Sequence, residues 1–108
     1  MRGLTRRLSA MLVETRFENL SRHAVDAAKR SILDTLGCAL AGAGVAECDL
    51  LIESLTPMGS APVATVVGRR LRLASPWAAM VNATAARALD MDDLFEPGQT
   101  HASVAVVP

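Results

Sequence analysis

The feature that most constrains this fold is a long amphipathic stretch of small and aliphatic residues. It reads RHAVDAAKRSILDTLGCALAG over residues 22–42 and directly follows Ser21, a residue type that often caps helix N-termini. Gly42 and Gly44 then supply a helix stop. Apolar residues line one side (Val25, Ala28, Ile32, Leu33, Leu36 and Leu40) and charged residues the other (Arg22, Asp26, Lys29 and Arg30). The spacing predicts one amphipathic helix.

The composition favours a core of closely packed helices. Of 108 residues, 51% are hydrophobic and 20% charged, with two Phe, one Trp and no Tyr, while Ala fills 19 positions. Small aliphatic residues suit helix packing better than a β-sandwich, whose strands favour aromatic and β-branched residues. A chain of this length provides one small domain.

Patterns on either side of the central helix predict more helices and one hairpin. Apolar residues three to four apart predict a helix over 4–17, and a shorter helix is expected over 46–55. After the shorter helix, the strings ATVVG and RLRLAS alternate or cluster β-branched and apolar residues around 68–70. They predict a small β-hairpin. The fold class is therefore all-α, mostly helical with one small β-hairpin.

Ser75 and Pro76 predict the start of a further helix, with Ser75 as its N-cap and an end near Leu89 or Asp90. The segment 100–103 resembles the entry to another helix. The chain stops directly after the apolar run VAVV, an unusual place for a domain to end. We therefore expect residues 1–108 to be an incomplete, N-terminal portion of a larger helical domain.

Charge and cysteine content narrow the expected partners and compartment. Eleven basic residues offset eleven acidic ones, which argues against a nucleic-acid arm or a membrane-surface patch. Cys38 and Cys48 are predicted to be buried free thiols of a reduced compartment, with a redox or nucleophilic role as the alternative. No segment approaches the ~18 uninterrupted apolar residues of a membrane span, and Glu14 and Glu18 argue against a transit peptide. A cytoplasmic protein is expected.

One stretch, ALDMDDLFEPGQTHAS, concentrates the residues that could carry chemistry. Asp90, Asp92 and Asp93 lie within four positions, and His101 follows Asp90 by eleven residues. Any helical continuation would place Asp90 and Asp93 on one face. Because neighbouring carboxylates repel, one of them is expected to hold its proton to a higher pH than a free aspartate does. A carboxyl group in that state and an imidazole are suited to general acid–base catalysis near neutral pH.

Other interpretations of the same residues stay open from spacing alone. Asp92 or Asp93 could simply bond a following backbone N–H as a cap or turn residue. A metal site of Asp90, Asp92 and His101 is a third possibility, although no second His or Cys has ligand spacing. Arg87 lies three residues before Asp90 and could pair with it, or it could point into a cleft and meet a substrate carboxylate.

Two separated blocks of the sequence carry a family resemblance. They are AAKRSILDTLGCALAGAG and WAAMVNATAARALDMDDLFEPGQTHASVAVVP. Both blocks, in this order, resemble the N-terminal helical domain of the 2-methylcitrate dehydratase family (MmgE/PrpD), in which an ALD-x-DD segment precedes a His-x-Ser step and VVP. The similarity runs from about Leu20 to Pro108. It implies a homodimeric enzyme, longer than this chain, with a large all-helical domain.

The resemblance implies a lyase that uses no metal and no cofactor. Its substrates would be small di- or tricarboxylic acids, and its reaction proton transfer next to a carboxylate. By motif match, His101 is the implied proton-transfer residue, and Asp90 would orient the imidazole or deliver a proton to a departing hydroxyl. Asp93 and Ser103 would line the same pocket and bind substrate. Arg87 is also a candidate for binding substrate, on its charge and position and not on a motif match.

Three departures from the family pattern bear on the substrate. Arg87 stands where the family often has His, Leu94 where it frequently has Thr, and Ala102 where it usually has Pro. These changes leave the identity of the acid open, cis-aconitate especially. Because Arg87 alone cannot supply the several cationic donors that a di- or tricarboxylate requires, residues 1–108 alone are expected to be inactive. The alternative is a noncatalytic helical module for folding or dimerisation, favoured by the high apolar content.

Overall fold

The computed structural model describes residues 3–59 and 61–108. This part of the chain forms five α-helices and two short strands, so the mostly helical fold with one hairpin is confirmed. In order they are α1 (Leu4–Glu14), α2 (Arg22–Gly42), α3 (Ala46–Leu55), β1 (Ala64–Thr65), β2 (Arg72–Leu73), α4 (Ser75–Arg87) and α5 (Ser103–Val106). Single 3₁₀ turns lie at Phe17–Asn19, Thr56–Met58 and Glu96–Gly98.

Helix α2 begins and ends at the predicted residues. The Ser21 hydroxyl oxygen accepts a hydrogen bond of 3.1 Å from the Ala24 amide, which satisfies an N–H of the first turn that has no partner within the helix. At the other end, Ala43 follows Gly42 in helical conformation, so Gly42 is not a left-handed stop. Gly42 instead allows a close approach, since a Cβ there would lie 2.0 Å from the Ala85 carbonyl oxygen of α4.

The core lies between α2 and α4 and is built from small side chains. Its buried residues are Thr35, Cys38, Ala39 and Gly42 of α2 and Ala78, Val81, Asn82, Ala85 and Ala86 of α4, with Cys48, Leu55, Val66 and Leu73 from α3 and the hairpin. The aliphatic side that the spacing of α2 marks is not the buried side. The larger residues Ile32, Leu33, Leu36 and Leu40 are exposed. Helices α2 and α4 pack so closely that only the small residues of α2 fit between them.

The predicted hairpin forms and is fixed to α4 by one buried side chain. Ala64 pairs with Leu73 and Thr65 with Arg72 in antiparallel register. The Asn82 carbonyl oxygen accepts a bond of 2.8 Å from the Val67 amide, and its amide group donates to the Thr65 carbonyl at 3.1 Å. The hairpin is thereby attached directly to the helix that leads to the acidic segment.

Three predicted helix boundaries need correction. Ser75 is the first residue of α4 and makes no capping bond; the N-cap is Ala74. That helix ends at Arg87 instead of near Leu89 or Asp90, because Asp90 takes a left-handed conformation with φ 53°. The first helix ends at Glu14, and Phe17 lies in the following 3₁₀ turn.

Within residues 3–59 and 61–108, no single helix is long and apolar enough to cross a membrane. One pair of helices, Arg22–Gly42 and Ala46–Met58, passes together by length and composition but is bent by 89° at the break between them.

Candidate active site

The chain leaves α4 through a sharp turn that separates the three aspartates. Asp90 adopts a left-handed backbone, and its amide donates to the Arg87 carbonyl at 3.1 Å. No helical continuation follows, so Asp90 and Asp93 do not share a helix face. The turn leaves the Asp90 side chain 78% exposed, while the Asp92 side chain has no exposure at all.

Arg87 bonds both of the first two aspartates. Its Nη1 atom donates to Asp90 Oδ1 and, at 3.1 Å, to Asp92 Oδ1. The interpretation in which Arg87 pairs with Asp90 is therefore confirmed. The hydrogen bond from Arg87 and its charge lower the pKa of Asp90 below its ordinary value, and the same bond raises the pKa of Arg87. The prediction of a carboxyl group that holds its proton to higher pH is wrong for Asp90, because a guanidinium faces it.

Asp92, not Asp90, contacts the histidine. Asp92 Oδ2 lies 3.0 Å from His101 Nδ1, so one oxygen of this buried carboxylate faces the guanidinium and the other the imidazole. Both atoms of this contact are inaccessible to solvent, and within the described residues neither has a hydrogen bond of good geometry. The distance indicates a close polar contact whose angles are not those of an aligned hydrogen bond.

Asp93 and Ser103 bond each other across the loop. Asp93 Oδ2 accepts from the Ser103 hydroxyl at 2.9 Å, and Asp93 Oδ1 accepts from the Ser103 amide at 3.3 Å. Asp93 therefore caps the start of α5 from ten residues away, which confirms the interpretation that an aspartate here bonds a later N–H. Phe95 and Thr100, which lie between Asp93 and Ser103 in the sequence, form an antiparallel bridge. His101 therefore lies between two residues, Thr100 and Ser103, that are both bonded across the loop.

Helix α2 adds a buried thiol beside these carboxylates. Burial raises the pKa of Cys38, and the negative charges of Asp34, Asp92 and Asp93 raise it further. Burial likewise raises the pKa of Cys48. Both cysteines are free and buried, as predicted. A buried thiol that keeps its proton is a poor nucleophile, so neither supports the alternative of a nucleophilic role.

The arrangement can support proton transfer at the imidazole. Since Nδ1 is buried against Asp92, the exposed 24% of the His101 side chain belongs to the rest of the ring. A carboxylate that faces Nδ1 can fix the orientation of the ring, leaving Nε2 for exchange with a ligand. Two hollows lie near this arrangement, and His101 lines neither of them: Asp93, Arg30 and Asp34 line one of ≈ 570 Å³, and Arg87, Thr84 and Glu47 line one of ≈ 520 Å³.

The alternative metal site does not form from the predicted ligands. Arg87 lies between Asp90 and Asp92 and bonds an oxygen of each. Across the part of the chain that the structure describes, no group of three or more His, Cys, Asp and Glu side chains is placed to hold a metal ion.

All five predicted site residues lie in one cluster, but their contacts differ from those expected. Asp90, Arg87 and His101 are linked through Asp92, while Asp93 and Ser103 form a separate pair. Sequence reasoning gave Asp92 only a turn or metal-ligand role. Nothing in the DMDD string marks its second aspartate as the buried one, because the left-handed turn at Asp90 decides which carboxylate faces inward.

Comparison with known proteins shows which family and which curated proteins this chain is similar to. The family model of the MmgE/PrpD N-terminal domain matches residues 6–108. The chain is 31% identical over 109 residues to cis-aconitate decarboxylase of Mus musculus and 29% identical to that of Homo sapiens. Each match covers 100% of this chain and 22% of the relative, so the chain spans 22% of the length of these curated relatives. No solved structure matches the chain significantly.

Proposed function

Because the chain belongs to the MmgE/PrpD family, we propose that it supplies part of the active site of a cofactor-independent lyase. The substrate class we propose is a small di- or tricarboxylic acid, and the reaction is dehydration or decarboxylation through proton transfer next to a carboxylate. The observation that carries the proposal is the buried Asp92 carboxylate 3.0 Å from the His101 ring. The similarity to two cis-aconitate decarboxylases supports the lyase class.

His101 is the proton-transfer residue of the proposed reaction. In dehydration it would take a proton from the carbon beside a substrate carboxylate, and the freed electron pair would form the C=C bond as hydroxide leaves. In decarboxylation the protonated ring would give its proton to the carbon that loses CO₂. Asp92 would stabilise the protonated ring in both cases, as a buried carboxylate does in catalytic triads.

The role proposed for Asp90 follows from its charge. The distance to His101 assigns imidazole orientation to Asp92, not to Asp90. Because Arg87 lowers the pKa of Asp90, Asp90 is ionised at neutral pH and is a poor proton donor to a departing hydroxyl. We assign it instead to accept a hydrogen bond from a substrate hydroxyl. Asp93 and Ser103, whose polar atoms engage each other, would hold the loop that carries His101.

The test is turnover by the full-length protein on a panel of cis-aconitate, citrate and 2-methylcitrate, followed by NMR in deuterated water. Turnover of one acid is expected: a decarboxylated product should carry deuterium at the carbon that lost CO₂, whereas a dehydrated product should have lost a proton from the carbon beside the carboxylate and carry no deuterium there. His101→Gln should lower kcat by about 10²–10⁴-fold, the usual contribution of a general acid–base group, and Asp92→Asn should also lower it strongly. His23→Gln is the matched control, since His23 is exposed in the first turn of α2. Full activity in His101→Gln, or no turnover of any acid, would contradict the proposal.

A second candidate is a noncatalytic module for folding or dimerisation. The exposed aliphatic side of α2, formed by Ile32, Leu33, Leu36 and Leu40, favours it. The site variants separate the two functions, because a noncatalytic module predicts that His101→Gln and Asp92→Asn leave kcat unchanged. Residues 1–108 alone are expected to be inactive in either case, for lack of the cationic groups that a polycarboxylate needs.

A further inference from the structure

We propose that Arg87 is a positioning residue: it holds Asp92 in the orientation that presents its second oxygen to His101, and it does not bind the substrate. The placement of the side chains carries this inference, and only its kinetic consequence rests on the proposed function.

The contacts of Arg87 converge on one atom. Nη1 alone donates to Asp90 Oδ1 and Asp92 Oδ1, so a single nitrogen joins the exposed turn to the buried carboxylate. Asp92 Oδ1 is thereby engaged, and Oδ2 is the oxygen that faces His101. Rotation of the Asp92 carboxylate would break both contacts together.

The burial of Asp92 makes a cationic partner necessary. Its side chain has no exposure, and a buried carboxylate is stable only when paired and hydrogen-bonded. On α2, Asp34 and Cys38 lie nearby and are not cations, and Arg30 shares a hollow with Asp34 and Asp93, whereas the close contacts of the Asp92 carboxylate are with Arg87 and His101. Glu47 of α3 shares a hollow with Arg87. Arg87, whose guanidinium bonds Asp92 Oδ1, is therefore the group that compensates the charge of Asp92, while His101 faces the other oxygen.

The same contacts argue against Arg87 as the group that captures a substrate carboxylate. With Asp90 and Asp92 on its Nη1 atom, one positive charge faces two negative ones, so the trio carries a net negative charge. An incoming carboxylate that took Arg87 would leave the buried Asp92 without its guanidinium partner, which is unfavourable.

The first test measures the tautomer of His101 by ¹⁵N NMR in the full-length protein, without substrate. In the wild type we expect the Nδ1–H form, which places the proton toward Asp92. Arg87→Met should give a mixture of both tautomers and raise the pKa of Asp90 toward the ordinary value of ~3.9. Arg87→Lys should restore much of the wild-type pattern, because a single nitrogen makes both contacts.

The control and a replacement variant keep this test decisive. Arg22→Met removes an exposed guanidinium that lies 4.0 Å from Asp26 and should leave the His101 tautomer unchanged. If Arg87→Met does not fold, Arg87→Gln serves in its place, since it keeps N–H donors without the charge. The proposal would be overturned if the variant that folds had the same His101 tautomer and the same Asp90 titration as the wild type, whatever its enzyme activity.

The second test uses steady-state kinetics. A positioning role predicts that Arg87→Met lowers kcat by about 10²-fold, as misplacement of a reacting group does, with KM changed by less than about two-fold. A substrate-binding role predicts a raised KM at unchanged kcat, which would contradict the proposal. If the wild type turns over no acid while the tautomer still shifts in Arg87→Met, the lyase proposal fails and the positioning of His101 by Arg87 stands.

Discussion

The interface between α2 and α4 and the acidic segment that follows α4, residues 90–103, are held together by different physical means. In the interface, small apolar side chains and Gly42 let two backbones approach closely. In the acidic segment, three carboxylates, an imidazole and a hydroxyl contact one another or the guanidinium of Arg87 at the end of α4. The first region depends on shape and the second on charge and protonation.

This difference predicts opposite sensitivities. A well-packed interface is disturbed by a single added methyl group and is indifferent to pH within the stable range. A segment held by ion pairs tolerates changes of size at its exposed positions, but it depends on each partner and on its ionisation. Substitutions in the two regions should therefore differ in magnitude and in their dependence on pH.

The largest effect is expected in the interface, for Gly42→Ala. The new Cβ would lie 2.0 Å from the Ala85 carbonyl oxygen, a distance that backbone atoms can relieve only if the helices move apart. We expect a loss of about 3 kcal/mol in the free energy of unfolding, the upper part of the range for overpacking, measured by urea denaturation.

The matched control lies in the same helix. A Cβ at Gly37 would have nothing within 4 Å, so Gly37→Ala should stabilise the protein by about 0.5–1 kcal/mol through the higher helix propensity of Ala. Equal effects of the two substitutions would mean that the helices are not in close contact at Gly42.

What the sequence predicts well is the part of the fold that depends on local patterns. The bounds of α2 and α3 and the hairpin around Gly68 follow from capping residues, glycines and alternation. The buried side of α2 does not follow, because the larger aliphatic residues dominate the pattern while the smaller ones decide how closely α4 can approach. Tertiary packing decides which side of α2 is buried, and the periodicity of the sequence alone does not predict that packing.

An intermediate effect is expected in the acidic segment, for Ser103→Ala. The substitution removes the 2.9 Å bond from the buried Ser103 hydroxyl to Asp93, and a hydrogen bond to a charged group contributes about 1.5–2 kcal/mol. We expect a loss of that size in the free energy of unfolding and a change in the NMR signals of the His101 ring, since the bond fastens its loop.

Ser54→Ala is the control for the chemistry of the change. Ser54 is exposed and donates to the Leu50 carbonyl within α3, so its replacement should alter the free energy of unfolding by less than about 0.5 kcal/mol. A Ser103→Ala variant as stable as this control would show that the Asp93–Ser103 bond does not fasten the loop.

The candidate site was predictable as a cluster but not as a set of contacts. The string ALDMDDLFEPGQTHAS indicates that carboxylates and an imidazole belong together, and they do lie together. The partner of His101 could not be read from it, because Asp92 faces inward only through the left-handed backbone at Asp90. Aspartate is among the residues that adopt this conformation at modest cost, but three aspartates in four positions give no preference for which one does.

The smallest effect, and the one that depends on pH, is expected for Asp90→Asn. Arg87 lowers the pKa of Asp90 in the folded protein, so the ionised carboxylate stabilises the fold above the ordinary aspartate pKa of ~3.9. That contribution declines as the pH falls through the lowered pKa, because the carboxylate then takes up a proton in both states. Asparagine also tolerates a left-handed backbone, so the substitution removes the charge while leaving the turn intact.

Thermal unfolding from pH 7 downward should show the Asp90→Asn variant less stable than the wild type at neutral pH, with the difference shrinking toward zero in acid. The difference should be small because Asp90 is exposed, and a difference that stays constant over the whole pH range would mean that the Arg87–Asp90 ion pair does not stabilise the turn.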